Sequence, residues 1–144
     1  MNSELIRKVE INDYNKNHLE LYKNLSVIEP QKISFNQYVK FIDNLNNNHN
    51  IFVIEYNNKI IASITLLIEY KLIHNFGKVC HIEDVVVSKE YQKQGLGKKL
   101  IEFAINFSKK NDCYKIILNC SNENISFYYK CGFKNKDNQL YIYL

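Results

Sequence analysis

Apolar positions along the chain change their spacing several times, and each change predicts an element. Residues 5–9 read as a short strand. Behind Asp13, which has the form of a helix N-cap, Tyr14, His18, Leu21, Tyr22 and Leu25 recur at helical spacing until Pro30 stops any continuation. Ser34-Phe35-Asn36-Gln37 has the form of a capping box, and Phe35, Tyr38, Val39, Ile42 and Leu45 continue it as a second helix. The polar tract 44–50 predicts a loop. Residues 51–56 and 59–69 are β-rich runs parted by Asn57-Asn58, a pair that tolerates positive φ and so predicts a tight antiparallel hairpin. A loop over 70–77 leads to a strand over 79–87, β-branched towards its end, which runs into Gln92-Lys93-Gln94-Gly95-Leu96-Gly97. Leu96, Leu100, Ile101, Ala104, Ile105 and Phe107 predict a helix over 97–110, with Lys109 and Lys110 in the last turn where the helix dipole favours cations. A buried-type strand over 115–119, a helix over 122–131 ending at Gly132, and a closing hairpin over 133–144 complete the order β-α-α-β-β-β-α-β-α-β-β. That order predicts a mixed α/β sheet in a single domain over 1–144, without repeats.

Composition supports a packed domain, with 46% hydrophobic residues and one proline in 144. The net charge of +4 is scattered, with no basic run longer than two residues, as at Lys109-Lys110, so anionic small molecules are favoured and nucleic acid, which needs a basic stripe, is not. No apolar run reaches the roughly 20 residues of a membrane span, and Met1-Asn2-Ser3-Glu4 lacks signal-peptide character, so a cytoplasmic protein is expected. Cys80, Cys113, Cys120 and Cys131 form neither a C-x-x-C pair nor a set with histidine at zinc spacing; the expectation is buried free thiols and no metal.

The chemistry-bearing feature is a strand that delivers a glycine-containing loop onto a helix start, where backbone N–H groups and the helix dipole can cradle phosphate. No Gly-Lys-Ser/Thr ends the loop and no glycine triplet opens the first βα unit, which excludes the P-loop and dinucleotide-fold patterns. What remains is Gln92-x-x-Gly95-x-Gly97. With that spacing, the chain resembles the GNAT acetyltransferases over almost its full length. Over 68–133 it closely resembles the glucosamine 6-phosphate N-acetyltransferases, in five ordered blocks at 69–74, 81–87, 91–97, 113–118 and 124–133.

The resemblance implies the GNAT acyl-CoA N-acyltransferase fold, a mixed sheet with splayed parallel strands flanked by helices. It implies acetyl-CoA as co-substrate, its arm along Val85, Val86 and Val87, its pyrophosphate on Gln92, Lys93, Gln94, Gly95, Leu96 and Gly97, and Asn124 and Tyr128 near the arm and the sulfur. The implied acceptor is glucosamine 6-phosphate, acetylated at its 2-amino group as a step of UDP-N-acetylglucosamine supply. Ser26, Lys71, Leu72, Ile73, His74, Glu83, Asp84 and Val85 would contact it, with Tyr114 and Lys115 entering from the second subunit of a homodimer. The amine attacks the thioester directly, so no cysteine nucleophile is needed. Glu83 is the route for the amine proton, and Tyr128 meets the departing thiolate. Since a phenol titrates near 10 and a thiol near 8.5, full proton transfer from Tyr128 is uphill by about 2 kcal/mol, and a hydrogen bond describes its role better.

Bland readings stand beside these: Tyr128 as packing, Glu83-Asp84 as strand charges, Lys71 and Lys115 as solvated lysines, His81 as structural filler, Tyr114 as interface cover. Two positions depart from the family pattern. Asn119 stands where an acidic residue orients the substrate amine, and Tyr143 where a basic residue assists binding, which shifts the phosphate load to Lys71, His74 and Lys115. Rival functions are acetylation of another small amine or a peptide N-terminus, and an idle acetyl-CoA-binding module.

Overall fold

A computed structural model describes residues 5–144. Five strands, β1 (Ile6–Lys8), β2 (His49–Tyr56), β3 (Lys59–Tyr70), β4 (Lys78–Val87) and β5 (Cys113–Leu118), form one sheet in sequence order. The first four pair antiparallel and β5 joins β4 in parallel. The β2–β3 hairpin turns on Asn57 and Asn58, whose φ values of 48° and 60° give the doubly left-handed turn that their side chains tolerate. Five helical segments follow the chain order: α1 (His18–Leu21), α2 (Phe35–Asp43), α3 (Ile73–Phe76, a single turn with left-handed φ at His74, Asn75 and Phe76), α4 (Leu96–Lys110) and α5 (Ile125–Lys130). Among the described residues no helix is long and apolar enough to cross a membrane.

The predicted capping box is present: the Gln37 amide donates to Ser34 Oγ at 3.2 Å, and the Ser34 amide to Gln37 Oε1 at 2.8 Å, starting α2. Helix α4 presents Leu96, Leu100, Ile101 and Ala104 to the sheet, where they meet Phe52, Ile54, Ile64, Leu66, Cys80 and Ile82 in the main core. Each is buried because α4 repeats apolar residues on one face while β3 is covered on both.

Three expectations fail. The helix anticipated behind Asp13 is broken into 3-10 turns (Ile11–Lys16, Tyr22–Asn24) around the single turn of α1, because Asn17 adopts a left-handed φ of 61°. Asp13 does not cap it. Its fully buried carboxylate accepts from the Glu10 amide at 2.8 Å and twice from Arg7, at 2.9 and 2.7 Å, while Arg7 and Lys16 also hold Glu55. The closing hairpin is absent too. Residues 134–144 form no strand, and Tyr141, the best covered of the last five residues, is still 76% exposed. Strand propensity is realised only against a partner edge, and the half-exposed β5 is left as the edge of the sheet rather than a central strand.

Candidate active site

Parallel pairing of β4 with β5 ends at Ile82 opposite Leu118, yet β4 continues to Val87, so the two strands part and leave a cleft. On its other side, the β3 ladder passes from Thr65–Glu83 to Ser63–Val86, two residues of β3 against three of β4. The extra residue makes a bulge at Asp84, whose φ of 48° is left-handed. A bulge takes backbone groups out of the ladder and re-aims the neighbouring side chains. It falls where the cleft opens.

Two joined cavities occupy the cleft. The larger, about 710 Å³, is walled by the end of β4 (Val85, Val86, Val87), by Gln92, Lys93, Gly95, Leu96 and Gly97, and by Asn124 and Tyr128. The smaller, about 370 Å³, holds Glu83, Asp84 and Asn119 along with Cys120 and Ser121. Leu25, Val85, Asn124 and Tyr128 belong to both and mark the junction. Of the anticipated cofactor residues only Gln94 is off the wall; its amide donates to the Glu90 carbonyl at 3.2 Å and braces the loop.

Local geometry explains the loop. Gly95 precedes α4 at φ 85°, a conformation costly to any residue with a Cβ. Gly97 serves packing: a Cβ there would stand 3.3 Å from the Phe127 ring, where α4 meets α5. The Gln92 side chain donates to the Val87 carbonyl at 3.1 Å and ties the loop to the strand end. The first residues of α4, Leu96, Gly97 and Lys98, line this wall, and α4 is long enough for its N-terminal amides and dipole to favour a phosphate there. These residues therefore fit the pyrophosphate and arm of a coenzyme A thioester.

Tyr128 is positioned by the end of α5. The Gly132 amide donates to the Tyr129 carbonyl at 3.0 Å and the Phe133 amide to the Tyr128 carbonyl at 3.1 Å, a left-handed helix stop at Gly132 (φ 94°). It turns Phe133 back onto the Tyr128 ring, edge to face at 5.9 Å. Burial, with lesser contributions from Cys120 and Cys131, pushes the phenol up to about 12. Burial also lifts the Glu83 carboxyl above its usual range, reinforced by the like charge of Asp84 and opposed by His81. A half-buried neutral donor and a half-buried base of raised affinity for protons thus line the same junction.

The anticipated substrate residues do not come together within one chain. Glu83, Asp84 and Val85 line the smaller cavity, while Ser26, next in sequence to the wall residue Leu25, lies on neither wall. Lys71, Leu72, Ile73 and His74 instead lie with Tyr114 and Lys115 at the far end of β4, about 16 Å away along the strand. There His74 stacks on Tyr114 at 4.3 Å, Lys115 Nζ lies 5.7 Å from the same ring, and Glu69 holds Lys71 at 2.5 Å and His81 at 2.7 Å. Lys71 is therefore already ion-paired, and His81 is structural. Leu72, Ile73 and Phe76 are exposed, and His74, Asn75 and Phe76 all take left-handed φ. Tyr143 lies in the exposed tail and on neither wall of the cleft. The cysteines are free, but only Cys80 is buried and Cys120 is exposed in the smaller cavity, against the expectation of buried thiols.

Sequence reasoning missed Asn24, Leu25, Tyr91 and Phe127 on the larger wall and Cys120 with Ser121 on the smaller. Leu25 and Phe127 carried only an apolar periodicity signal, which cannot separate core from cavity wall; Cys120 and Ser121 were findable as the residues following β5 at the splay.

Residues 6–133 match the model of the Acetyltransferase (GNAT) family. The glucosamine 6-phosphate N-acetyltransferase of Arabidopsis thaliana is 42% identical over 94% of this chain and 93% of its own length, and that of Candida albicans 39% over 90% and 88%. The crystal structure of the Arabidopsis thaliana enzyme superposes with a TM-score of 0.91, covering 96% of this chain and 97% of the other at 40% identity. An acetyltransferase of Trypanosoma brucei superposes at 0.90 with 32% identity, covering 97% and 99%. Splayed strands, glycine loop, matched length and matched sequence agree: the chain belongs to the GNAT acetyltransferase family.

Proposed function

We propose that this chain, acting as a single GNAT domain over 1–144, transfers the acetyl group of acetyl-CoA to the 2-amino group of glucosamine 6-phosphate in the cytoplasm. The observation that carries the reading is the junction of the two cavities, where Tyr128 and Asn124 stand between a cradle suited to the coenzyme and a polar chamber holding Glu83 and Asn119. The similarity to relatives bearing that enzyme name supports the choice of acceptor.

Bound acetyl-CoA supplies the activated acetyl group. The residues supply position and proton traffic. The β4 backbone and the loop 92–97 hold the coenzyme, and a freed N–H near the Asp84 bulge polarises the acetyl carbonyl. Glu83 takes the ammonium proton, and Asn119 accepts a hydrogen bond from the amine without offsetting its charge. Tyr128 donates a hydrogen bond to the departing sulfur. With the phenol near 12, full transfer to a thiolate costs on the order of 5 kcal/mol, so the hydroxyl keeps its proton until product leaves.

The site is completed in a homodimer. Lys71 and His74 are grouped with Tyr114 and Lys115 in one chain, so the four enter the partner's chamber as a unit and bring cations to the sugar phosphate. The open edge of β5 and the exposed apolar tail support such pairing. Release of coenzyme thiol from acetyl-CoA on adding glucosamine 6-phosphate tests the reading. Turnover is expected to be far faster than with glucosamine; equal kcat/KM for the two would redirect the assignment to another amine.

A further inference from the structure

A third cavity, about 510 Å³, lies outside the site just described, between α1, α2 and the sheet. Its wall is formed by Leu19, Tyr22, Ile28, Ile33, Phe41 and Ile51. Several polar groups among its lining already have partners. His18 Nδ1 and the Tyr38 hydroxyl are 2.7 Å apart, and the Tyr22 hydroxyl lies 3.0 Å from Ser63 Oγ. What faces the space is mostly apolar surface, Gln37, His49 and Thr65 being its other polar members, with one anion among the lining. That anion is Asp84, which lines both this cavity and the acceptor chamber and makes no ion pair among the described residues.

A sugar phosphate cannot use such a wall: its hydroxyls would lose water without gaining partners, and its phosphate would meet the Asp84 carboxylate. A molecule with an apolar body and a single ammonium fits both features, the body in the cavity and the charge at Asp84. Because Asp84 also borders the acceptor chamber, an amine anchored there stands beside Glu83 and Tyr128.

We propose that the chain has a second acceptor mode, N-acetylation of small hydrophobic primary amines of the arylalkylamine class. This rests on the acetyl-transfer reading of the site and adds a substrate class to it. The ammonium loses a proton by way of Glu83, and its nitrogen lone pair forms the C–N bond at the thioester carbonyl. The C–S bond breaks with its electron pair on sulfur. The nitrogen sheds its second proton, sulfur takes up one, and the products are an acetamide, the coenzyme thiol and one net proton.

The test compares 2-phenylethylamine, ethylamine and glucosamine 6-phosphate as acceptors for acetyl-CoA, in the wild type and in Phe41→Ala and Ile33→Asn. Phe41 is 51% exposed and Ile33 lies at the start of the α2 region, so neither change removes core. The expected result is a kcat/KM for 2-phenylethylamine at least about tenfold above ethylamine. Both variants should lose about tenfold on 2-phenylethylamine alone, with glucosamine 6-phosphate unchanged. Equal turnover of the two plain amines, or none, with glucosamine 6-phosphate acetylated normally, overturns the second mode and leaves the sugar reading intact. If none of the three is acetylated, the acetyl-transfer reading falls and the second mode with it. Should only the sugar fail, the acceptor assignment falls while the cavity stands.

Discussion

Tyr128 and Glu83 owe their chemical character to burial more than to neighbours, and that decides how each responds to change. Tyr128→Phe keeps the ring packed on Phe133 and removes only the donor, so kcat should fall at least tenfold while calorimetry shows acetyl-CoA binding within twofold of wild type. A wild-type kcat under chemistry-limited conditions would remove the hydroxyl from the reaction. Glu83 works as a carboxylate, and its folded value is raised. Activity should therefore be lost as pH falls through a limb above the ordinary glutamate range, and Glu83→Gln should abolish that limb along with most of kcat. At Asn119, Asp would set an anion near the ammonium: KM for the amino sugar should drop, kcat should not improve, and the pH–rate profile should move upward, because the amine's own pKa rises. No shift in either parameter would show that residue 119 does not sense the amine.

At the scale of elements, local signals were legible where they were self-sufficient. The Ser34–Gln37 box, the Asn57-Asn58 turn and the Gly132 stop each contain their own hydrogen-bond logic within four or five residues. Asp13 was misread because its partner, Arg7, lies on β1, and a cap-like residue says nothing about a long-range ion pair. That buried cluster carries stability. Burial works to raise the Asp13 carboxyl, but the Arg7 pair and the Glu10 amide outweigh it and hold it below its ordinary 3.8. Its contribution is thus complete above that value and is lost as pH falls through the lowered one. Asp13→Ala, which leaves Arg7 to Glu55 alone and the Glu10 amide without its acceptor, should cost about 1–3 kcal/mol in urea unfolding at pH 7. His18 sets a second, higher window. Burial lowers it from 6.5 to about 4, opposed by Asp13, so between those values the unfolded chain takes up a proton that the fold refuses. Stability should decline over that interval by on the order of 3 kcal/mol, and His18→Gln should flatten the slope.

Across the whole molecule, the cofactor half of the site was readable because it is built from contiguous segments, 85–87 and 92–97, which a strand and a loop hold together. The acceptor half was only partly readable. Glu83 and Asn119 converge through the splay, but Lys71 to Lys115 converge elsewhere, and one chain's sequence does not say which residues a second chain receives. The shared-site dimer makes a sharp expectation. Tyr128→Phe chains mixed with chains carrying Lys71→Ala and Lys115→Ala, then allowed to exchange, should regain roughly a quarter of wild-type activity, since half the dimers are mixed and each has one intact site. No recovery after exchange would place both sets in the same subunit's site.

The uncovered tail has a further consequence, in mass action. If the proposed homodimer covers the five exposed apolar residues and the bare strand edge, the stability gained from that association grows with the logarithm of protein concentration. The melting temperature should then rise on concentrating the sample, and Ile142→Lys, which makes the tail repel such an edge, should abolish the rise and lower the melting temperature. Dilution alone would act as an inactivator, and an enzyme of this design would lose catalysis and cohesion at the same threshold.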